Sequence, residues 1–226
     1  MGIFLIGILC SSLTSVEEKI QKLAPDIKHE VVLKIGETIL NKAPIYGFSK
    51  NDEINLILAM AKTESGFRHI FGSHGEVGML QVIPEDPHIM EIVSKISCEE
   101  SEFMCKNGNP DVFKDGKLAS YKVRKFLSYH PYYALETGIG EMKFWRDKYF
   151  SSLKQKYWTK FPRWYFKTNL INFYSIEPSI KWWWENLTKK AGDLIWISHY
   201  NWGNKISTAN SSRNYALRVL SVLETI

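Results

Sequence analysis

Apolar residues recur with a helical period along most of this chain, and one glycine- and proline-rich stretch interrupts them. The segment Val16 to Leu23 is amphipathic, and Ile27 to Leu40 repeats the pattern through Val31, Leu33, Ile35 and Ile39. Ser49, with Asp52 three residues on, reads as the capping box of a third helix, which carries Ile54, Ile57, Leu58 and Ala61 and stops near Gly66. Residues 70–88 then gather Gly72, Gly75, Gly78, Pro84 and Pro87, the punctuation of a loop. Further helices are expected over 88–97, 118–129, 132–158, 188–200 and 213–225. No stretch alternates with the period of a strand, and no repeat or low-complexity tract is present. The expected fold is therefore mainly α. At 226 residues, 45% hydrophobic and 23% charged, the chain suits one globular domain with a packed core.

The first fifteen residues hold an apolar run too short to span a bilayer, followed by small residues. That is the length of a secretory signal's hydrophobic region, although no Lys or Arg precedes it. Export, with removal of residues 1–15, is the expectation. The alternative is the buried first helix or strand of the domain. Cys10 is a candidate for lipid attachment, but Gly7-Ile8-Leu9 fits a lipobox poorly. Beyond the signal only Cys98 and Cys105 remain. They either close a short disulfide loop, as an oxidising compartment allows, or stay as two buried thiols. A metal site there would need a second Cys or His pair, and none stands near.

Glu64 carries the chemistry of greatest interest. Helical steps place it on one face with Ile57, Met60 and Ala61. An apolar setting hydrates a carboxylate poorly and favours its protonated form, as a general acid at neutral pH requires. The partial negative charge of a helix C-terminus acts in the same direction. Periodicity alone favours a solvated glutamate at a frayed helix end.

The sequence around and after it is more specific. Glu64-Ser65-Gly66-Phe67 is followed by Ser73-His74-Gly75-Glu76-Val77-Gly78-Met79-Leu80-Gln81-Val82-Ile83-Pro84. Downstream come Gly140 before Phe144 and Trp145, then His199-Tyr200-Asn201-Trp202-Gly203, and Arg213-Asn214-Tyr215 with Val219. This ordered set resembles the soluble lytic transglycosylase family, across roughly residues 51–88 and 131–220. The resemblance implies a single helical catalytic domain of the lysozyme-like α+β superfamily, spanning residues 16–226. Glu64 would be its catalytic residue, with Ser73, Gly78, Gln81, Ile83, Tyr200, Asn201 and Tyr215 contacting substrate.

Residue chemistry agrees with those roles. Glycine at 75 and 78 would let backbone approach a sugar closely. Gln81 offers donor and acceptor to hydroxyl or acetamido groups, and Tyr200 a phenol and a ring face. Against the family pattern, Met79-Leu80 is reversed, Glu76 and His199 stand where Ala is usual, and Glu136 where Asn is usual. Segments of about 92–130 and 146–190 read as insertions on the family core.

The implied reaction needs no metal and no organic cofactor. The implied partner is peptidoglycan glycan strands in the periplasm or cell envelope, met by a monomer with no role for nucleic acid. Ordinary glycosidases use two carboxylates, and the motifs supply no clear second one. Glu85 and Asp86 are nearby loop acids, expected to be solvated. A goose-type lysozyme-like muramidase is the rival within the fold, with Asp86 the first candidate to activate water. A non-catalytic peptidoglycan- or membrane-binding module is the rival from another class.

Lys143 to Lys190 stands apart, with eleven Lys or Arg against three acids and six of the eight Trp. Either this segment holds an anionic polymer or lipid headgroups, or its rings pack inward and its charges are solvated. Trp182-Trp183-Trp184 cannot all face inward from one helix. On the binding reading, salt weakens association with peptidoglycan sacculi. Replacing Lys181, Lys189 and Lys190 with Gln then lowers sacculus pull-down and spares turnover of short soluble glycans. Unchanged, salt-independent pull-down would assign the segment to packing.

Overall fold

The computed structural model describes residues 2–99, 113–114, 117–148, 151, 196–197, 200 and 210–226. These residues are mostly helical, with little sheet. The helices are α1 (Gly2–Leu23), α2 (His29–Lys42), α3 (Asn51–Ser65), α4 (Pro87–Glu99), α5 (Ser120–Tyr129), α6 (Pro131–Lys148) and α7 (Asn210–Leu223). A 3-10 turn at Ala43–Tyr46 follows α2. Two antiparallel pairs complete the order: β1 (Ile70–Phe71) with β2 (Val77–Gly78), and β3 (Phe113–Lys114) with β4 (Lys117–Leu118). Among the described residues, no helix is long and apolar enough to cross a membrane. The chain divides into two compact units, residues 1–141 with 221–226 and residues 142–220.

In the first unit, α1 and α2 meet through their apolar faces. Val16 and Ile20 are buried on α1, and Val32, Ile35 and Ile39 on α2. Gly36 lets the two helices approach: a Cβ there would stand 3.2 Å from Leu13 and 3.6 Å from Val16. α1 runs unbroken across Ser15, so the segment read as a leader forms its first turns here, and Leu13 packs onto α2.

α3 is buried on all sides through its middle, with Ile54 and every residue from Leu56 to Ala61 enclosed. A helix apolar all round belongs at the centre of a fold. Its start differs from the sequence expectation by one residue. The carboxylate that reaches back belongs to Glu53 rather than Asp52, accepting the backbone N–H of Ser49 (2.7 Å) and of Lys50 (2.8 Å). An acid at the third helical position reaches the cap's N–H, and with the helix opening at Asn51 that position is Glu53. α3 stops where Gly66 turns left-handed (φ 64°), its N–H bonding Lys62 O at 3.0 Å, while Phe67 N–H bonds Ala61 O at 3.3 Å. Phe67 is left-handed as well (φ 63°), which costs a non-glycine residue roughly 1–2 kcal/mol. Complete burial of its ring offsets this.

The glycine-rich stretch after α3 folds as the short hairpin β1–β2, with Ile70 opposite Gly78 and Phe71 opposite Val77. Val77 also bridges Val82, so the chain doubles back again before α4. One core cluster joins this hairpin to three helices: Val77 and Val82, Ile89 and Val93 of α4, Val123 and Leu127 of α5, and Ala134 of α6. Val93, Val123 and Leu127 come from the segment read as an insertion at 92–130, and they help carry the hairpin. These three residues belong to the first unit's core.

In the second unit, Trp145, Trp196, Ile197, Tyr200, Tyr215, Ala216, Val219 and Leu220 are buried. Trp145 stacks edge-on with Phe144, and the Lys148 ammonium lies 4.8 Å from the Trp145 ring centroid. Lys143 and Arg146 both pair with Asp147. Of the basic aromatic segment, 149–150 and 152–190 lie outside the described residues, as do Cys105 and the side chain of Cys98.

Candidate active site

Glu64 sits in the last turn of α3, half-buried, one residue before the helix ends. The next residue ties that helix end to the hairpin. Ser65 Oγ donates to Met79 O at 2.7 Å and accepts the Arg68 N–H at 3.2 Å. Its other acceptor within reach, Ala61 O at 3.3 Å, is the longer contact, so the single hydroxyl proton favours Met79. The two halves of the sequence signature are therefore joined by one hydrogen bond between residues fourteen apart. Arg68 forms a solvent-exposed ion pair with Asp26, and that hydrogen bond holds the Asp26 carboxyl below its ordinary range.

Beyond Ser65 the hairpin is held from two sides. α6 supports it through small residues. The Cβ that Gly78 lacks would fall 2.8 Å from Ala134 Cβ, and the one Gly138 lacks would fall 2.5 Å from Leu80 Cβ. Gly78 also has φ 93°, a conformation L side chains rarely adopt. α5 supplies the second hold. Arg124 donates to Gly75 O at 2.7 Å and makes a forked pair with Glu85, at 2.6 and 2.7 Å from one guanidinium nitrogen. A side chain at Gly75 would meet that guanidinium 2.7 Å away. At both glycines the space a side chain would fill is taken by the protein's own atoms.

The remaining expected site residues fall as follows. Ser73 is exposed at the hairpin tip, 3.1 Å from His74 Nδ1. Gln81 turns its amide inward, donating to Gly78 O (2.6 Å) and Ile70 O (3.1 Å), and holds a left-handed backbone (φ 53°). Both N–H groups are spent on the hairpin, which leaves the carbonyl as its recognition group. Ile83 is partly exposed, as are Ile70 and, more fully, Phe71. The Phe71 ring meets His69 edge-on at 6.1 Å, and His69 Nε2 lies 2.9 Å from Ser128 O, which fixes that nitrogen as the donor. Tyr200 and Tyr215 are buried within the second unit, and Asn201 lies outside the described residues.

Of two buried acids on α6, the sequence reading marked Glu136 only as a departure from the family pattern and passed over Glu141. Glu136 is almost wholly buried, paired with Lys42 at 3.1 Å and 3.5 Å from the Tyr46 hydroxyl. Glu141 is nearly as enclosed and lies 3.4 Å from His88 Nε2. Asp86 joins these last two: one ligand-type atom from each of Asp86, His88 and Glu141 lies within 4.8 Å of the others. Asp86 is thus clustered and half-buried, against the expectation of a solvated loop acid. Glu85 is engaged by Arg124. The spacing Asp86-Pro87-His88 is legible in the sequence, but its partner fifty-three residues on is supplied by folding.

Compared with protein-family models, curated proteins and solved structures, the chain gives no match.

The support of Gly78 by α6 has a measurable signature. Gly78→Ala adds a clash to backbone strain and should destabilise by roughly 2–4 kcal/mol. Gly66→Ala, whose Cβ would meet nothing within 4 Å, should cost only about 1–2 kcal/mol. Ala134→Gly placed beside Gly78→Ala should recover part of the loss in urea denaturation. Equal costs at positions 66 and 78, with no recovery, would remove the close approach from the account.

Proposed function

We propose that the chain is a lytic transglycosylase of lysozyme-like fold that cleaves peptidoglycan glycan strands, with Glu64 as its one acid/base. The observation that carries this reading is the Ser65–Met79 hydrogen bond, which joins the Glu64-bearing helix end to the glycine-rich hairpin. The ordered motifs support it, as does a short antiparallel hairpin directly after the acid's helix, among described residues that are mostly helical. The exposed apolar residues Ile70, Phe71 and Ile83 on that hairpin offer a surface suited to the ring faces of a sugar.

On this reading Glu64 enters the reaction protonated. It gives its proton to the glycosidic oxygen between N-acetylmuramic acid and N-acetylglucosamine as the bond from C1 to that oxygen breaks. The substrate's own acetamido oxygen stabilises the cationic C1, in place of a second carboxylate. Glu64, now ionised, takes the proton of the muramyl 6-hydroxyl, whose oxygen bonds to C1. A 1,6-anhydro end forms, water is neither consumed nor released, and the acid is regenerated. The setting proposed is the periplasm or cell envelope, where that polymer lies.

Glu64→Gln keeps the side chain's shape and removes its acid. Thermal melting should stay within a few degrees of the parent, while clearing of peptidoglycan suspensions should fall by at least about 100-fold. Parental clearing rates from a well-folded Glu64→Gln protein would contradict the assignment.

A further inference from the structure

We propose that Asp86, His88 and Glu141 form a binding site for a zinc ion, separate from the chemistry assigned to Glu64. The three residues come from two elements. Asp86 immediately precedes α4, His88 is its second residue, and Glu141 projects from α6. Their ligand atoms lie within 4.8 Å of one another. In a tetrahedral shell with bonds near 2.1 Å, ligand atoms stand about 3.4 Å apart. Small side-chain rotations close the difference, and the His88 Nε2 to Glu141 Oε1 distance is already 3.4 Å.

Burial and charge both favour a cation there. The side chains of His88 and Glu141 are only 15% and 7% exposed. The cluster brings two carboxylates beside one imidazole. A divalent ion balances both and leaves the imidazole neutral, in the form that coordinates metal. One imidazole nitrogen with two carboxylate groups is a mixed donor set, which suits zinc better than the all-oxygen shells preferred by calcium and magnesium. Three protein ligands leave a position for water.

The frame is rigid enough to hold such a site. Ile89 and Val93 of α4 and Ala134 of α6 belong to one packed cluster, so the two elements bearing the ligands are fixed against each other. An ion here would staple the start of α4 to α6 just beyond the hairpin. It would stabilise the fold.

The full chain, stripped with chelator and titrated with zinc chloride by calorimetry, should bind one ion per chain. Its melting temperature should rise with added zinc, because binding favours the folded state. Asp86→Asn and His88→Gln should each weaken binding at least tenfold and abolish the zinc-dependent rise. Neither substitution should alter melting in chelator by more than a few degrees, and Asp86→Asn alone suffices should His88→Gln fail to fold. Absence of stoichiometric binding, or affinity unchanged in the folded variants, would overturn the site. Glu64→Gln should bind zinc like the parent, so this result and the glycan-cleavage result are read independently.

Discussion

The short hairpin after α3 has almost no sheet of its own, so its position depends on how closely it can lie on α6. Gly78 on Ala134 and Leu80 on Gly138 are the contacts that allow this. Two residues per strand cannot hold a loop against the entropy of ordering it. Burial of Val77 and Val82 in the shared cluster supplies the driving force, and the missing side chains let the backbones come near enough to realise it. Ser65 then transmits that position to the end of the Glu64 helix. Arg124 braces the outer turn at Gly75. Remove the close approach, and the loop loses its defined relation to the acid.

Several acids of the first unit are engaged by named partners. Glu53 caps α3, Glu85 answers Arg124, Glu136 answers Lys42, and Glu141 lies with His88 and Asp86. Each of these has a positional or charge-balancing role in the fold. Glu64 is distinguished by place: half-buried, at the negative end of a helix otherwise enclosed by apolar residues.

Much of this was legible in the chain. Periodicity marked α2, α3 and the final helix to within a few residues, because apolar faces packed in a core leave a 3.6-residue signature. Gly66 announced the end of α3, and the cluster of Gly and Pro announced the loop. The capping acid was misplaced by one because Asp52 and Glu53 are adjacent, and only the helix start decides between them. The glycines at 75 and 78 were legible as sites of close approach, but not what approaches: Arg124 and Ala134 lie about fifty residues away in sequence. Gln81 looked free to recognise a ligand, since nothing local reveals that its amide closes the hairpin. The same non-locality hid Glu141, which the sequence places in an unremarkable stretch of helix and the fold brings to His88.

The central claim is that one carboxylic acid cleaves glycan without using water. Mass spectrometry of muropeptides released from purified peptidoglycan tests it directly. The account predicts 1,6-anhydromuramic ends, lighter by one water than the hydrolysis product, and their loss in Glu64→Gln. Release of free reducing muramic ends by the parent protein would contradict it.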